Sequence, residues 1–128
     1  RVTKELLGLL DISKDEAQYW YKQWWFERTW SIIFRSQIEI LEQLSKQNNK
    51  QSTWEVLYGF YVSATKLYPF LINYRYDEYM NFLKASKLVE WQVHTANPMN
   101  ADVKITLLGE EFLAYLNTQG HNKNLKSN

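Results

Sequence analysis

At 128 residues, with a formal net charge of +1 and a 45% apolar share, the chain has the size and balance of one folded domain. The near-neutral charge excludes a protein that holds nucleic acid by bulk electrostatics alone, and the absence of cysteine excludes disulfides, thiolate nucleophiles and thiolate zinc sites. An aromatic share of 16% is high, so rings should fill much of the core.

No apolar run approaches the roughly 20 residues a bilayer span needs, nothing at the N-terminus reads as a signal peptide, and the lack of cysteine fits a cytoplasmic protein. The chain opens on Arg1 rather than Met, which suits a trimmed chain or a piece of a longer one, and no internal repeat is visible. The first segment, VTKELLGLL, predicts a short amphipathic helix with Thr3 as its cap. Ser13 and Glu16 then form a capping box. The stretch TKELLGLLDISKDEAQYWYKQ can alternatively be a compact helix-turn-helix.

From Lys14 to about Gln47 there is neither proline nor glycine, which predicts one long helix, straight or bent. Six of the eight residues from Tyr19 to Phe26 are aromatic: Tyr19, Trp20, Tyr21, Trp24, Trp25 and Phe26. Spaced this way they surround the helix, and a helix apolar all round is buried on more than one side. A subunit interface between two copies satisfies that pattern. So do burial by the lead-in and final helices, and a membrane surface, although Lys22, Glu27 and Arg28 make no basic face. Further on, Ile33, Phe34, Ile38, Leu41 and Leu44 form one apolar stripe, leaving Arg35, Glu39, Glu42 and Lys46 to solvent.

QNNKQ predicts a polar loop, and Ser52 with Glu55 a second capping box. The next helix uses Trp54, Leu57, Tyr58 and Tyr61 on one face and stops at Tyr68, ahead of Pro69. PFLIN is an apolar connector, and Asn73 or a neighbour caps a helix carrying Tyr76, Met80 and Leu83 inward. Alternation follows: Val89, Trp91 and Val93 face one way, Glu90, Gln92 and His94 the other. TANPMNAD is turn chemistry, Val103 and Ile105 restart the alternation, and Thr106 caps a last helix with Glu110 and Glu111 near its start. The polar, glycine-broken run after Leu116 reads as a frayed tail.

This order resembles a winged helix-turn-helix domain over about residues 36–116, mainly α with a small β-hairpin and with an N-terminal helical extension. SQIEILEQLSKQ resembles the first helix of that fold, STWEVLYGFYVSATKLYP the second, and NYRYDEYMNFLKASKLVEW the third running into the first wing strand. Where many members carry glycine before that strand, Lys87 stands here. The phrase T-x-x-G-x-x-F-L, here Thr106, Gly109, Phe112 and Leu113, is similar to one in bacterial and archaeal regulators of the MarR and PadR kind. The resemblance implies residues 1–35 as an aromatic dimerising extension, 36–116 as the domain and 117–128 as a flexible tail.

It also implies a non-catalytic, homodimeric transcriptional regulator with its third helix in the DNA major groove and its wing against backbone or minor groove. The outward positions of that helix are Tyr74, Arg75, Glu78, Asn81 and Lys84. Arg75 can fork onto guanine and Asn81 can pair with adenine, while Tyr74 and Lys84 hold phosphates. On the wing, His94, Asn97, Asn100 and Lys104 can reach backbone. Set against this, Asp77 and Glu78 lie where phosphates would approach, and the wing's one lysine is answered by Asp102. A winged helix that contacts protein within a larger assembly, and no DNA, would carry the same residues.

No catalytic set assembles. There is no HExxH, phosphate loop or G-x-S-x-G, and neither a metal nor a cofactor is called for. Asp77-Glu78 and Glu110-Glu111 are adjacent on helices, so their side chains diverge by about 100°. His94 and His121 read as solvated, and the Trp and Tyr rings can either line a small-molecule pocket or simply be core.

Overall fold

The computed structural model describes residues 14–92 and 101–126. The chain divides into two units, Arg1–Ile32 and Ile33–Asn128. The expected lead-in helix, the alternative helix-turn-helix and the Ser13 cap lie outside the described residues.

In the first unit, helix α1 spans Lys14–Ile32. Phe26 and Thr29 are buried on it, whereas Tyr19, Trp20, Tyr21 and Trp24 are all more than half exposed. The expected continuous helix to Gln47 is not formed. Phe34 adopts an extended backbone (φ −82°, ψ 151°), so a new helix α2 runs Arg35–Lys46. Two features that need no proline account for the break. Thr29 and Ser31 turn their hydroxyls back onto the carbonyls of Trp25 (2.8 Å) and Arg28 (2.6 Å), which competes with regular helix. The Phe34 N–H donates to the Gln37 side-chain oxygen at 2.8 Å, half of a capping box.

In the second unit, α2 is followed by β1 (Gln51–Thr53), α3 (Trp54–Leu67), a 3-10 turn (Pro69–Asn73), α4 (Tyr76–Ala85), β2 (Val89–Trp91), β3 (Asp102–Ile105), α5 (Leu107–Gln119) and a last 3-10 turn (Lys123–Leu125). The described residues are thus mainly helical with a small antiparallel sheet, ordered β1-β3-β2. Helix α2 is the hub on which α3, α5, the sheet and the last turn pack. Of its expected stripe, Ile33, Ile38, Leu41 and Leu44 are inside at 0–1% exposure and Phe34 is half buried, while Ile40, Ser36 and Gln37 are buried as well.

The predicted hairpin is present, with Val89 opposite Ile105 and Trp91 opposite Val103. Its third strand was not predicted. Gln51, Ser52 and Thr53 pair with Lys104, Val103 and Asp102, so Ser52 is a strand residue rather than a helix cap. Thr53 caps α3 instead, accepting the Val56 N–H at 3.2 Å. Helix α3 ends at Leu67 ahead of Pro69, and PFLIN winds into the 3-10 turn that buries Leu71.

Helices α4 and α5 both end in left-handed caps. At the end of α4, Lys87 has φ +65°, its N–H donates to Lys84 O (2.9 Å) and the Leu88 N–H to Leu83 O (3.0 Å), a Schellman pair. Gly120 repeats the arrangement after α5 with φ +72° and the His121 N–H on Leu116 O at 2.8 Å. Past Leu116, where a frayed tail was expected, α5 continues to Gln119 and the 3-10 turn Lys123–Leu125 follows. Lys123 Nζ secures it, donating to Glu42 at 2.6 Å on α2.

Because a side chain at φ +65° is held against the Cβ–carbonyl repulsion that glycine escapes, Lys87→Gly should stabilise the fold by about 1 kcal/mol. A urea melt with a higher midpoint and unchanged slope would show it. A lower midpoint would mean that the Lys87 stem contributes more packing than the strain costs.

Candidate nucleic-acid interface

Helix α4 begins where Arg75 takes an extended backbone, and its N–H donates to the Glu78 carboxylate at 3.0 Å. Arg75 thus occupies the cap position expected of Asn73 or a neighbour. Tyr79, Met80 and Leu83 pin the helix inward, all at 0–2% exposure. Tyr76 is only half buried. Its hydroxyl donates to Trp54 O at 2.7 Å, which ties the start of α4 to the start of α3. Burial in this ring cluster pushes the Tyr76 and Tyr79 hydroxyls above the ordinary tyrosine range, and each is held as a neutral group.

The outward face of α4 carries Glu78, Asn81 and Lys84, as its periodicity predicts. What those residues do there is another matter. The Arg75 guanidinium closes on Asp77 through two bonds, Nε–Oδ1 at 3.2 Å and Nη2–Oδ2 at 2.7 Å. That hydrogen bonding holds the Asp77 carboxyl below the ordinary carboxylate range. The fork expected for guanine is occupied in this structure by a carboxylate of the same helix.

Lys84 lies over the Trp91 ring, 4.7 Å from its centroid, with Nζ 3.5 Å from Trp91 O. Exposed Tyr74 packs its ring on Phe34 at 5.5 Å and accepts the Tyr61 hydroxyl at its carbonyl (2.5 Å). Lys104 is exposed on β3, paired in register with Glu90 and next but one to Asp102. His94, Asn97 and Asn100 lie outside the described residues.

The structure adds a feature the sequence reading assigned to the core. On α3, Leu57 alone of the expected face is fully buried; Trp54 and Tyr61 are half buried and Tyr58 is 41% exposed. These rings run on into α4 and β2 as a contiguous surface, Trp91–Trp54 at 5.1 Å, Trp54–Tyr76 at 4.8 Å and Tyr76–Tyr58 at 4.9 Å. Glu78 lies near enough to Tyr61 to add to the upward shift that burial gives its hydroxyl. The signal was present as Trp54, Tyr58 and Tyr61 at four- and three-residue steps, but such a stripe reads identically for a core and for an interface.

No family model, curated protein or solved structure matches this chain. Its functional reading therefore rests on the geometry. Among the described residues no cluster of three or more His, Asp or Glu side chains is placed to hold a metal ion, and no helix is long and apolar enough to cross a membrane.

Of the six rings expected at a subunit interface, four present themselves on α1 and two do not. Phe26 is 2% exposed and Trp25 is half buried, so Phe26 is withdrawn from any interface the other rings make. The exposed rings are already preordered, Tyr21 against Trp24 at 5.7 Å, with Arg28 over Trp24 at 5.8 Å. A cleft lies between α2 and α3, lined by Arg35, Glu39, Phe60, Ser63 and Tyr68.

Proposed function

We propose that this protein is a non-catalytic winged-helix interaction module. It is a cytoplasmic homodimer joined through α1, and its α3–α4 face meets a protein partner rather than duplex DNA. The winged-helix reading is supported by the element order of the second unit, helix, strand, helix, helix, strand, strand, helix, with the sheet arranged β1-β3-β2.

The observation that carries the choice of partner is charge. Around α4, β2 and β3 the described acids Asp77, Glu78, Glu90 and Asp102 equal in number the bases Arg75, Lys84, Lys87 and Lys104, so the face has no positive excess, and Arg75 is spent on Asp77. A duplex presents one phosphate charge per ~1.7 Å of axis, and proteins that bind it gain much of their affinity by neutralising that charge. A surface of half-exposed Trp and Tyr beside carboxylates instead has the composition of protein–protein contacts.

A second reading, DNA in the major groove along α4, is favoured by the outward placement of Asn81 and Lys84. Fluorescence anisotropy with a mixed-sequence duplex at about 25 mM and about 150 mM salt separates the two. We expect no saturable binding at ~10 μM protein even at the lower salt. Micromolar binding that weakens a hundredfold or more at the higher salt would replace the proposal with the DNA reading.

A further inference from the structure

Along α1 four exposed residues recur at strict four-residue steps: Glu16, Trp20, Trp24 and Arg28. Side chains at i, i+4, i+8 form one of the ridges by which helices interlock. This ridge has an acid at one end, a base at the other and two indoles between, with Trp20 and Trp24 at 59% and 53% exposure. It lies away from the face that buries Phe26 and Thr29.

Such a sequence is complementary to itself in reverse. We propose that two copies of this chain associate antiparallel along α1, about a two-fold axis level with Lys22. That register sets Glu16 of one copy against Arg28 of the other twice, and Trp20 against Trp24 twice. The proposal rests on the homodimer reading above and adds its direction and register.

Charge complementarity decides between the possible arrangements. A parallel pair would set Glu16 beside Glu16 and Arg28 beside Arg28 at the two ends of the apolar centre, a repulsive contact at each. The antiparallel pair turns both into attractions and keeps all four indoles together, an isologous contact that closes on itself and leaves no ridge for a third copy. Arg28 is already held beside the indoles by its place over Trp24, so little side-chain freedom is lost when a carboxylate meets it.

The test is a charge reversal on the full chain, with mass and dissociation constant from sedimentation equilibrium. Glu16→Arg and Arg28→Glu should each weaken the dimer by about tenfold, since each replaces two attractions by two repulsions. The combined E16R/R28E chain should return to within about threefold of the parent. Both positions are exposed, and circular dichroism confirms that the variants stay helical. Because the chain has no cysteine, introduced thiols report the direction independently. In oxidised glutathione, Ala17→Cys mixed with Glu27→Cys should give the crossed disulfide dimer, and Ala17→Cys alone should not. A parent chain that is monomeric at about 100 μM would overturn the homodimer reading and this register with it. A dimeric parent whose double reversal is no tighter than the single ones, or an Ala17→Cys chain that links to itself, would keep the dimer and discard the antiparallel register.

Discussion

Gly109→Ala should lower the stability of the fold by roughly 3 kcal/mol or more, and the thermal midpoint by roughly 10 °C or more. A Cβ built at that position falls 2.3 Å from the Leu88 carbonyl oxygen and 2.7 Å from Ile105 Cγ1. The first neighbour is backbone and cannot rotate away. It is also engaged, since Leu88 O accepts the Thr106 N–H at 3.0 Å. Thr106 in turn donates its hydroxyl to Lys87 O (2.7 Å) and accepts the Gly109 N–H at the same oxygen (2.9 Å). Helix α5 thus starts in contact with the chain leaving α4, and Phe112, one turn on, is fully buried by that closeness. An added methyl group must separate the two. Gly59→Ala is the matched control, because nothing lies within 4 Å of a Cβ there, and in the middle of α3 it should stabilise by about 0.5–1 kcal/mol. If Gly109→Ala melted within 2 °C of the parent, the close approach of α5 to the Leu88 carbonyl would not hold in solution.

The phrase T-x-x-G-x-x-F-L stood out in the sequence by resemblance, and the fold gives three of its members a physical reason: Thr106 is a cap, Gly109 a contact without Cβ and Phe112 a core ring. The hairpin was readable from the residues themselves. Val89, Trp91, Val103 and Ile105 alternate, and alternation survives whatever the rest of the chain does. Strand β1 had no such signature. Gln51, Ser52 and Thr53 are polar and only half buried, and they are strand because β3 offers them a ladder. The break at Ile33–Phe34 was likewise invisible, since no residue there forbids helix. The 3-10 turn Lys123–Leu125 is tied to α2 by Lys123 reaching Glu42, a contact 81 positions apart that no local pattern announces. At the candidate interface the exposed positions of α4 were legible from its period. The closure of Arg75 on Asp77 was not, because at two residues apart these side chains are not neighbours on a helix. They meet only because Arg75 sits at the extended cap.

Gln37 shows the same limit most sharply, and Gln37→Leu should cost about 3 kcal/mol although it replaces a polar residue by an apolar one of similar size. Nothing in the sequence sets Gln37 apart from the other polar residues of its segment. In the fold it is 2% exposed. Its oxygen holds the Phe34 N–H at 2.8 Å and its NH₂ group donates to Tyr79 O at 2.8 Å. Next to it, buried Ser36 shares a hydrogen bond with the Tyr79 hydroxyl. The first turn of α2 therefore grips Tyr79 at its carbonyl and at its phenol, and sets where α4 lies. Leucine would fill the space but leave the Phe34 N–H without that acceptor and remove the Tyr79 bond. A buried polar group deprived of its partner costs about 1–3 kcal/mol, more than added apolar contact returns at a site already filled. Ser36→Ala should cost less alone. The two together should depart from additivity by at least about 0.5 kcal/mol, because both act on one tyrosine. Urea melts of the four chains measure this directly. A Gln37→Leu chain within 1 kcal/mol of the parent, or a strictly additive pair, would mean that α4 is placed by Met80 and Leu83 alone and that the polar grip on Tyr79 is incidental.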